Sequence, residues 1–362
     1  MIMTGLRGVG KTVLLNRFAE LAELAGWESI ELEASKHDET AFSQSIFSKF
    51  RAALLHISPR RRWSERARHA AEVLSSFVLS IDQSGTFSVT WDVDPSEGYG
   101  DHGDLGLDLT DVFLAVGDVA KEKETGIVLL IDEVQFLTTV QLESLIQAVH
   151  KSVQKKLPIT FVGAGLPQIA ELAGDAKSYA ERLFKFPRID SLTPEEARQA
   201  LVGPAETENV SYDEDAVDLA VSLTHGYPYF IQELGYQAWI VASGNHITAE
   251  DISTAKEAYE AKLDGSFFRV RLDRATPLQT AYMRAMAELG SEPQKAADVA
   301  SLMKRESSQV APIRSQLIDM GLLYTPQHGY AAFTVPDFDK FMMRAVPRLE
   351  VPEIQHRRRR GK

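Results

Sequence analysis

Gly5-Leu6-Arg7-Gly8-Val9-Gly10-Lys11-Thr12 follows directly on the apolar residues Met1, Ile2 and Met3 and fits the spacing G-x-x-x-x-G-K-[ST]. That spacing belongs to a loop that cradles phosphates. Glycines let the backbone take positive φ and turn its N–H groups inward around phosphate oxygens. Lys11 is placed to reach the β- and γ-phosphates of a nucleotide, and the Thr12 hydroxyl to ligate Mg²⁺. Behind the loop, Val13, Leu14, Leu15, Phe18, Leu21, Ala22 and Leu24 read as the buried stripe of a helix over 12–25. The loop then opens onto a helix N-terminus, whose dipole favours an anion. The residues expected to line the nucleotide are Gly5, Gly8, Val9, Gly10, Lys11, Thr12 and Val13. Only four residues precede Gly5, so either the first strand is short or the chain begins inside a longer natural protein, without the segment that would close over adenine.

Further along, Ile127-Val128-Leu129-Leu130-Ile131 is a continuous apolar run ending in Asp132-Glu133. Such a run predicts a central strand of a parallel sheet, buried on both faces. Ligands of open α/β sheets bind beyond the carboxyl ends of the strands, where Asp132 and Glu133 would lie. Asp132 is expected in the Mg²⁺ shell, through water, and Glu133 as the group that polarises the attacking water. A third strand over 158–162 runs into Gly163-Ala164-Gly165. Arg182, in Ser178-Tyr179-Ala180-Glu181-Arg182-Leu183-Phe184, is the candidate for contacting a γ-phosphate in cis or from a neighbouring subunit, against the plain alternative of a solvated helix face.

The chain has 362 residues, with 39 basic and 51 acidic side chains, a net charge of −12 and 44% hydrophobic residues. That length suggests two or three domains at ~150 residues each. No apolar run approaches the ~18 residues that span a bilayer, which excludes a membrane-spanning role. The N-terminus has no secretory signal pattern, and zero Cys excludes a disulfide framework, a thiolate zinc site and a cysteine nucleophile. A soluble, cytoplasmic protein is expected, and its acidity argues against wholesale coating of nucleic acid.

The middle of the chain reads as a strand over 29–34, a helix over 42–55, an arginine cluster at 60, 61, 62, 66 and 68, and a hairpin strand over 85–94. The cluster is either a solvated helix face or a nucleic-acid contact. The Gly- and Asp-rich stretch 95–106 reads as a mobile surface loop before a helix over 107–121. From Leu192 the pattern is helical, at about 194–205, 213–224, 228–243 and 249–263, opened by Thr193-Pro194-Glu195-Glu196. At the centre of this bundle, Gly226-Tyr227-Pro228-Tyr229-Phe230 is either a step that sets Pro228 against a nucleotide or a plain turn between helices. Three amphipathic helices over 277–289, 295–304 and 308–320, followed by a hairpin through Gln327-His328-Gly329, form a winged helix-turn-helix pattern. Its third helix exposes Gln309, Arg314, Ser315 and Gln316, suited to duplex DNA. Its seven basic and seven acidic side chains leave a protein partner equally open. The expected domains are therefore a nucleotide-binding core over 1–190, a helical lid over 191–274, a winged helix over 275–347 and a basic, disordered tail over 348–362.

In GLRGVGKT at 5–12, LLIDE at 129–133, GAGLP at 163–167, SYAERLF at 178–184 and GYPYF at 226–230, the chain resembles bacterial AAA+ ATPases of the initiator-like, origin-recognition-like group, close to the STAND NTPases. The resemblance extends over nearly the whole chain. It implies an α/β P-loop NTPase core of ASCE/AAA+ type with five parallel strands, a helical lid and a C-terminal winged helix, and ATP-driven change in the lid or in an oligomer. It assigns Lys11, Thr12, Asp132 and Glu133 to ATP and Mg²⁺, and Pro228 to nucleotide sensing. The apolar tip at 163–165 departs from relatives that carry a polar γ-phosphate sensor there, leaving that task to Thr160 or to backbone groups. The implied activity is Mg²⁺-dependent, slow ATP hydrolysis, with duplex DNA, a second copy or another protein as partner. The competing expectations are a DNA-binding regulator and an interaction scaffold, each with ATP as a structural ligand.

Overall fold

The computed structural model describes residues 1–35, 39–81, 93–177 and 180–352. The strand expected over 85–94 lies, apart from its last two residues, outside the described residues, as do Ser178, Tyr179 and the arginine run at 357–360. The chain forms two compact units, residues 1–5 with 10–189, and residues 6–9 with 190–362. Among the described residues no helix is long and apolar enough to cross a membrane.

The first unit consists of β1 (Ile2–Thr4), α1 (Lys11–Leu24), β2 (Glu28–Glu33), α2 (Glu39–Ile57), α3 (Glu65–Ile81), α4 (Leu105–Glu122), β3 (Ile127–Asp132), α5 (Thr139–Gln154), β4 (Ile159–Gly165), α6 (Ile169–Ala176) and α7 (Ala180–Leu183). The strands form one parallel sheet in the order β1-β4-β3-β2. Among the described residues the sheet has four paired strands rather than five. Beyond β1 a fifth chain segment runs alongside with a single bridge, Thr4 to Arg188. Its ladder is the pair of bonds Ile2 N–H to Lys185 O and Thr4 N–H to Pro187 O, both 2.9 Å, and Ile189 N–H to Thr4 O at 2.7 Å. Proline at 187 has no N–H to extend that ladder.

Alternation along β3 sorts its side chains between two cores. Ile127, Leu129 and Ile131 join the large cluster with α2, α3, α4 and α5, while Val128 and Leu130 join a smaller one with Leu15 and Ala19 of α1. Burial on both faces is why this strand is apolar without interruption. The expected stripe of α1 is only partly buried. Lys11, Leu15 and Ala19 face inward at a four-residue spacing, whereas Val13, Leu21 and Leu24 are 68%, 46% and 80% exposed. Leu15 and Ala19 face the sheet with Phe18 and Ala22 packed beside them, and Val13, Leu14, Leu21 and Leu24 lie off that line.

The stretch expected to be a mobile loop is tied to α4 by carboxylates. Asp104 caps the helix at the Leu107 N–H (2.9 Å), Asp111 accepts from the Gly100 N–H (3.1 Å), and Asp108 accepts from the His102 N–H (2.8 Å). The Asp111 carboxylate beside the His102 ring holds its pKa above the usual imidazole value, and burial raises that of Asp108.

The second unit contains α8 (Pro194–Thr207), β5 (Ser211–Tyr212), α9 (Glu214–Thr224), α10 (Pro228–Val241), β6 (His246–Ile247) and α11 (Ala249–Lys262). A π-helical turn over Leu263–Phe268 leads into α12 (Arg269–Leu272). There follow α13 (Pro277–Leu289), β7 (Gln294–Lys295), α14 (Ala296–Leu302), α15 (Ser307–Asp319), β8 (Leu323–Tyr324), β9 (Tyr330–Phe333) and α16 (Phe338–Ala345). Thr193, Thr248 and Thr276 start α8, α11 and α13 with capping boxes. The last three strands form an antiparallel sheet, β7-β9-β8. An aromatic chain ties these helices together, from Tyr227 to Phe230 (4.7 Å between centroids), to Phe268 (6.3 Å) and to Phe341 (5.2 Å).

Candidate functional site

The loop after β1 is built as its glycines demand. Gly8 and Gly10 take φ of 86° and 92°, conformations that other residues adopt only with strain. Gly5 is pinned to the tip of β4 by its N–H to Gly165 O (3.1 Å). Gly10 is the N-cap of α1, which has no side-chain cap and no acidic residue in its first turn. The N-cap residue therefore satisfies none of the first N–H groups of that helix with a side chain, as at helix starts that receive anions. Lys11 is buried and reaches back across the loop, its Nζ donating to Gly5 O at 3.0 Å.

Parallel pairing of β1, β4 and β3 sets the acidic strand end beside this loop. Thr12 Oγ1 donates to Asp132 Oδ2 at 2.5 Å, across 120 residues of sequence. The other carboxylate oxygen of Asp132 accepts from the Glu133 N–H at 2.7 Å. Glu133 takes a left-handed φ of 53° between β3 and a short 3-10 turn over Val134–Phe136. Thr12 and Asp132 supply two hard oxygen donors. That set suits Mg²⁺, which keeps several waters and is completed by phosphate oxygens, rather than an all-protein cage. No group of three or more potential metal ligands occurs among the described residues.

A residue that sequence reasoning missed completes this end of the sheet. Gln135 Oε1 accepts from the Leu166 N–H (3.0 Å), and its Nε2 donates to Glu133 Oε2. A Cβ at Gly165 would stand 2.8 Å from Gln135 Oε1. The apolar Gly163-Ala164-Gly165 tip is thus covered by a polar side chain arriving from the neighbouring strand end. The only signal was its position, two residues after Glu133. Thr160, expected as an alternative sensor, is exposed and pairs with Val128 near the opposite end of β4. It stands five residues, about 16 Å of extended strand, before Gly165.

Arg182 is exposed on α7. Pro228 is half-buried at the first turn of α10 in the second unit. Residues 6–9 group with that unit as well. The Tyr229 N–H donates to Gly8 O (3.3 Å), and the Arg7 N–H to Thr334 O (3.2 Å). Val9 is buried, whereas Val13, on the first turn of α1, is exposed. Arg271 lies over the Phe267 ring at 4.1 Å, and burial, with Arg7 and Arg274 nearby, lowers its pKa. Burial likewise raises the pKa of Tyr227, whose hydroxyl has no partner among the described residues.

Residues 1–162 match the AAA ATPase domain family, and residues 265–342 match a family described as a domain of unknown function. No curated protein matches the chain in sequence. Among solved structures, a Walker-type ATPase of Pyrococcus abyssi aligns over 94% of this chain and 90% of its own, at 16% identity and a TM-score of 0.57. Cdc6p from Pyrobaculum aerophilum covers 96% of this chain and 88% of its own at 16% identity, with a TM-score of 0.42. The RuvB Holliday junction branch migration motor of Thermotoga maritima covers 97% and 87% at 14% identity, with a TM-score of 0.44. Residues 1–162, which build the parallel-sheet α/β core, are thus similar to AAA ATPase domains.

Proposed function

We propose that this chain is an initiator-like AAA+ ATPase switch. It binds ATP with Mg²⁺ through Gly5–Thr12, hydrolyses it slowly with the help of Glu133, and uses the cycle to reposition the helices that follow Asp190. The observation that carries this reading is the 2.5 Å hydrogen bond from Thr12 to Asp132, which unites the phosphate loop and the acidic strand end.

In this reading Lys11 leaves Gly5 O for the β- and γ-phosphates, while Thr12 Oγ1 holds Mg²⁺ directly and Asp132 holds it through water. The cation neutralises the phosphate oxygens when bound. Glu133 orients the attacking water, and Arg182 contacts the γ-phosphate, in cis or from a neighbour. The grouping of residues 6–9 with the second unit supports a coupled response, because a loop that moves with its ligand pulls on Tyr229 and Thr334 through backbone hydrogen bonds. Pro228, directly before Tyr229, is the nucleotide-sensing position of this reading.

Residues 191–274 act as the lid and 275–347 as a winged helix. Helices α13, α14 and α15 and the antiparallel sheet of the latter support that assignment, with α15 presented to duplex DNA. The exposure of Arg182 and the glycine-rich tip of β4 favour one alternative, a DNA-binding regulator in which ATP is a structural ligand.

Isothermal titration and phosphate release test the assignment. Lys11→Ala is expected to abolish ATP binding, and Glu133→Gln to keep binding while blocking turnover. Undiminished affinity in the Lys11 variant would defeat the reading. A steep salt dependence of DNA binding without ATPase activity would select the alternative.

A further inference from the structure

Helices α8 and α10 border an open cleft of about 420 Å³, walled by Leu201, Pro204, Tyr212, Tyr236 and Trp239. That volume lies within the range of about 300–1,000 Å³ in which proteins bury compact ligands. Gly235 keeps the cleft open, since a Cβ there would meet Leu201 Cδ1 at 3.1 Å. Tyr236 and Trp239 remain 60% and 44% exposed along its rim, and Ile240 beside them is 59% exposed. Large apolar and aromatic side chains left this open are the kind that anchor a protein partner.

The polar groups around the cleft are acceptors. Glu206 and Glu208 stand exposed at the C-terminal end of α8, neither with an ion pair among the described residues, and the last turn of the helix holds no basic residue. Two carboxylates thus sit at the negative end of a helix dipole, where a cation is favoured. Pro204 has no N–H, so the α-helical bond to the carbonyl of Ala200, another cleft residue, cannot form. The surrounding stretch 191–262 carries thirteen acidic and three basic side chains, a balance of −10. Two of those cations are already engaged, Arg198 by Glu214 (2.9 Å) and Asp218, and Lys256 by Glu260 (3.9 Å).

We propose that this cleft docks a basic segment of another protein, with one aromatic or branched apolar side chain entering between α8 and α10 and flanking Lys or Arg side chains meeting Glu206 and Glu208. Charge complementarity selects this occupant. A nucleic-acid backbone or an anionic lipid surface is repelled by the −10 balance, and a second copy brings a further net −12. A cationic peptide supplies what the end of α8 lacks, and its apolar anchor covers the rings of Tyr236 and Trp239. The proposal holds whether or not nucleotide is hydrolysed.

Selection of random displayed peptides on the full-length chain, counter-selected on Trp239→Ala, tests it. The selected peptides are then titrated by fluorescence anisotropy, with circular dichroism to verify the folding of each variant. The expected peptides carry an aromatic or branched apolar residue flanked by Lys or Arg, and their affinity falls as salt is raised. Affinity should drop about tenfold in Trp239→Ala and again in Glu206→Lys/Glu208→Lys. It should stay within about twofold in Glu257→Lys/Glu260→Lys, which changes net charge equally on α11. Failure to enrich any peptide over the Trp239 variant, or enrichment of acidic or uncharged ones, would overturn the proposal. Equal losses in the two double variants would also overturn it, because the attraction would then be to the acidic surface at large. Self-association of the chain that disappears in Trp239→Ala would overturn it in favour of a second copy.

Discussion

Glu133 sits at a backbone angle that few side chains choose, φ 53°, and its carboxylate is held by the Gln135 amide. That amide is fixed at its other end by the Leu166 N–H. Gln135 is therefore a positioning residue for Glu133, and Gly165 is glycine because the Gln135 carbonyl occupies the space of a side chain. A hydrogen bond to a charged group contributes about 1.5–3 kcal/mol, enough to change a rate by roughly tenfold or more. Gln135→Ala should lower kcat for ATP by about that factor while ATP affinity stays within roughly twofold of the parent. Single-turnover phosphate release beside nucleotide titration separates the two quantities. A comparable loss of affinity would mean instead that Gln135 shapes the loop. This residue was not legible in advance, because a glutamine after a strand has many uses and only the approach of β4 gives this one its partner.

Helix α1 shows how far periodicity carries. The apolar residues of 12–25 suggest one stripe, yet the helix fully buries only Lys11, Leu15 and Ala19, with Phe18 and Ala22 half-buried beside them. Leu15→Ala should destabilise the first unit by about 2–5 kcal/mol, as other buried leucines do. Leu24→Gln, at a position 80% exposed, should stay within about 0.5 kcal/mol of the parent. Urea unfolding of the two variants side by side measures the contrast, and equal effects would show that the outer face of α1 is covered in solution. The helix boundaries themselves were readable wherever a cap was written in the sequence. Thr193-Pro194 and Thr276-Pro277 start α8 and α13, where a hydroxyl accepts from the N3 amide and proline presets φ.

The chain as a whole has two compact units, each with a buried core of its own. Differential scanning calorimetry should resolve two transitions. ATP with Mg²⁺ at about a hundred times its Kd should add about 2.7 kcal/mol to whichever transition reports the phosphate loop. Glu133→Gln should keep that shift and Lys11→Ala should lose it. A shift that persists in the Lys11 variant would place the nucleotide elsewhere.

Local chemistry was enough to announce a glycine-rich loop opening onto a helix at 5–12 and a buried parallel strand at 127–131, since glycine φ, helix capping and uninterrupted apolar character act over a few residues. It was likewise enough to mark the helices after Leu192. The hydrogen bond between Thr12 and Asp132, the Gln135 cover over a bare strand tip, the weak fifth segment beside β1 and the distance of Thr160 from the loop came from strand order and register. Those depend on contacts between residues far apart in the chain, which no short window of sequence contains.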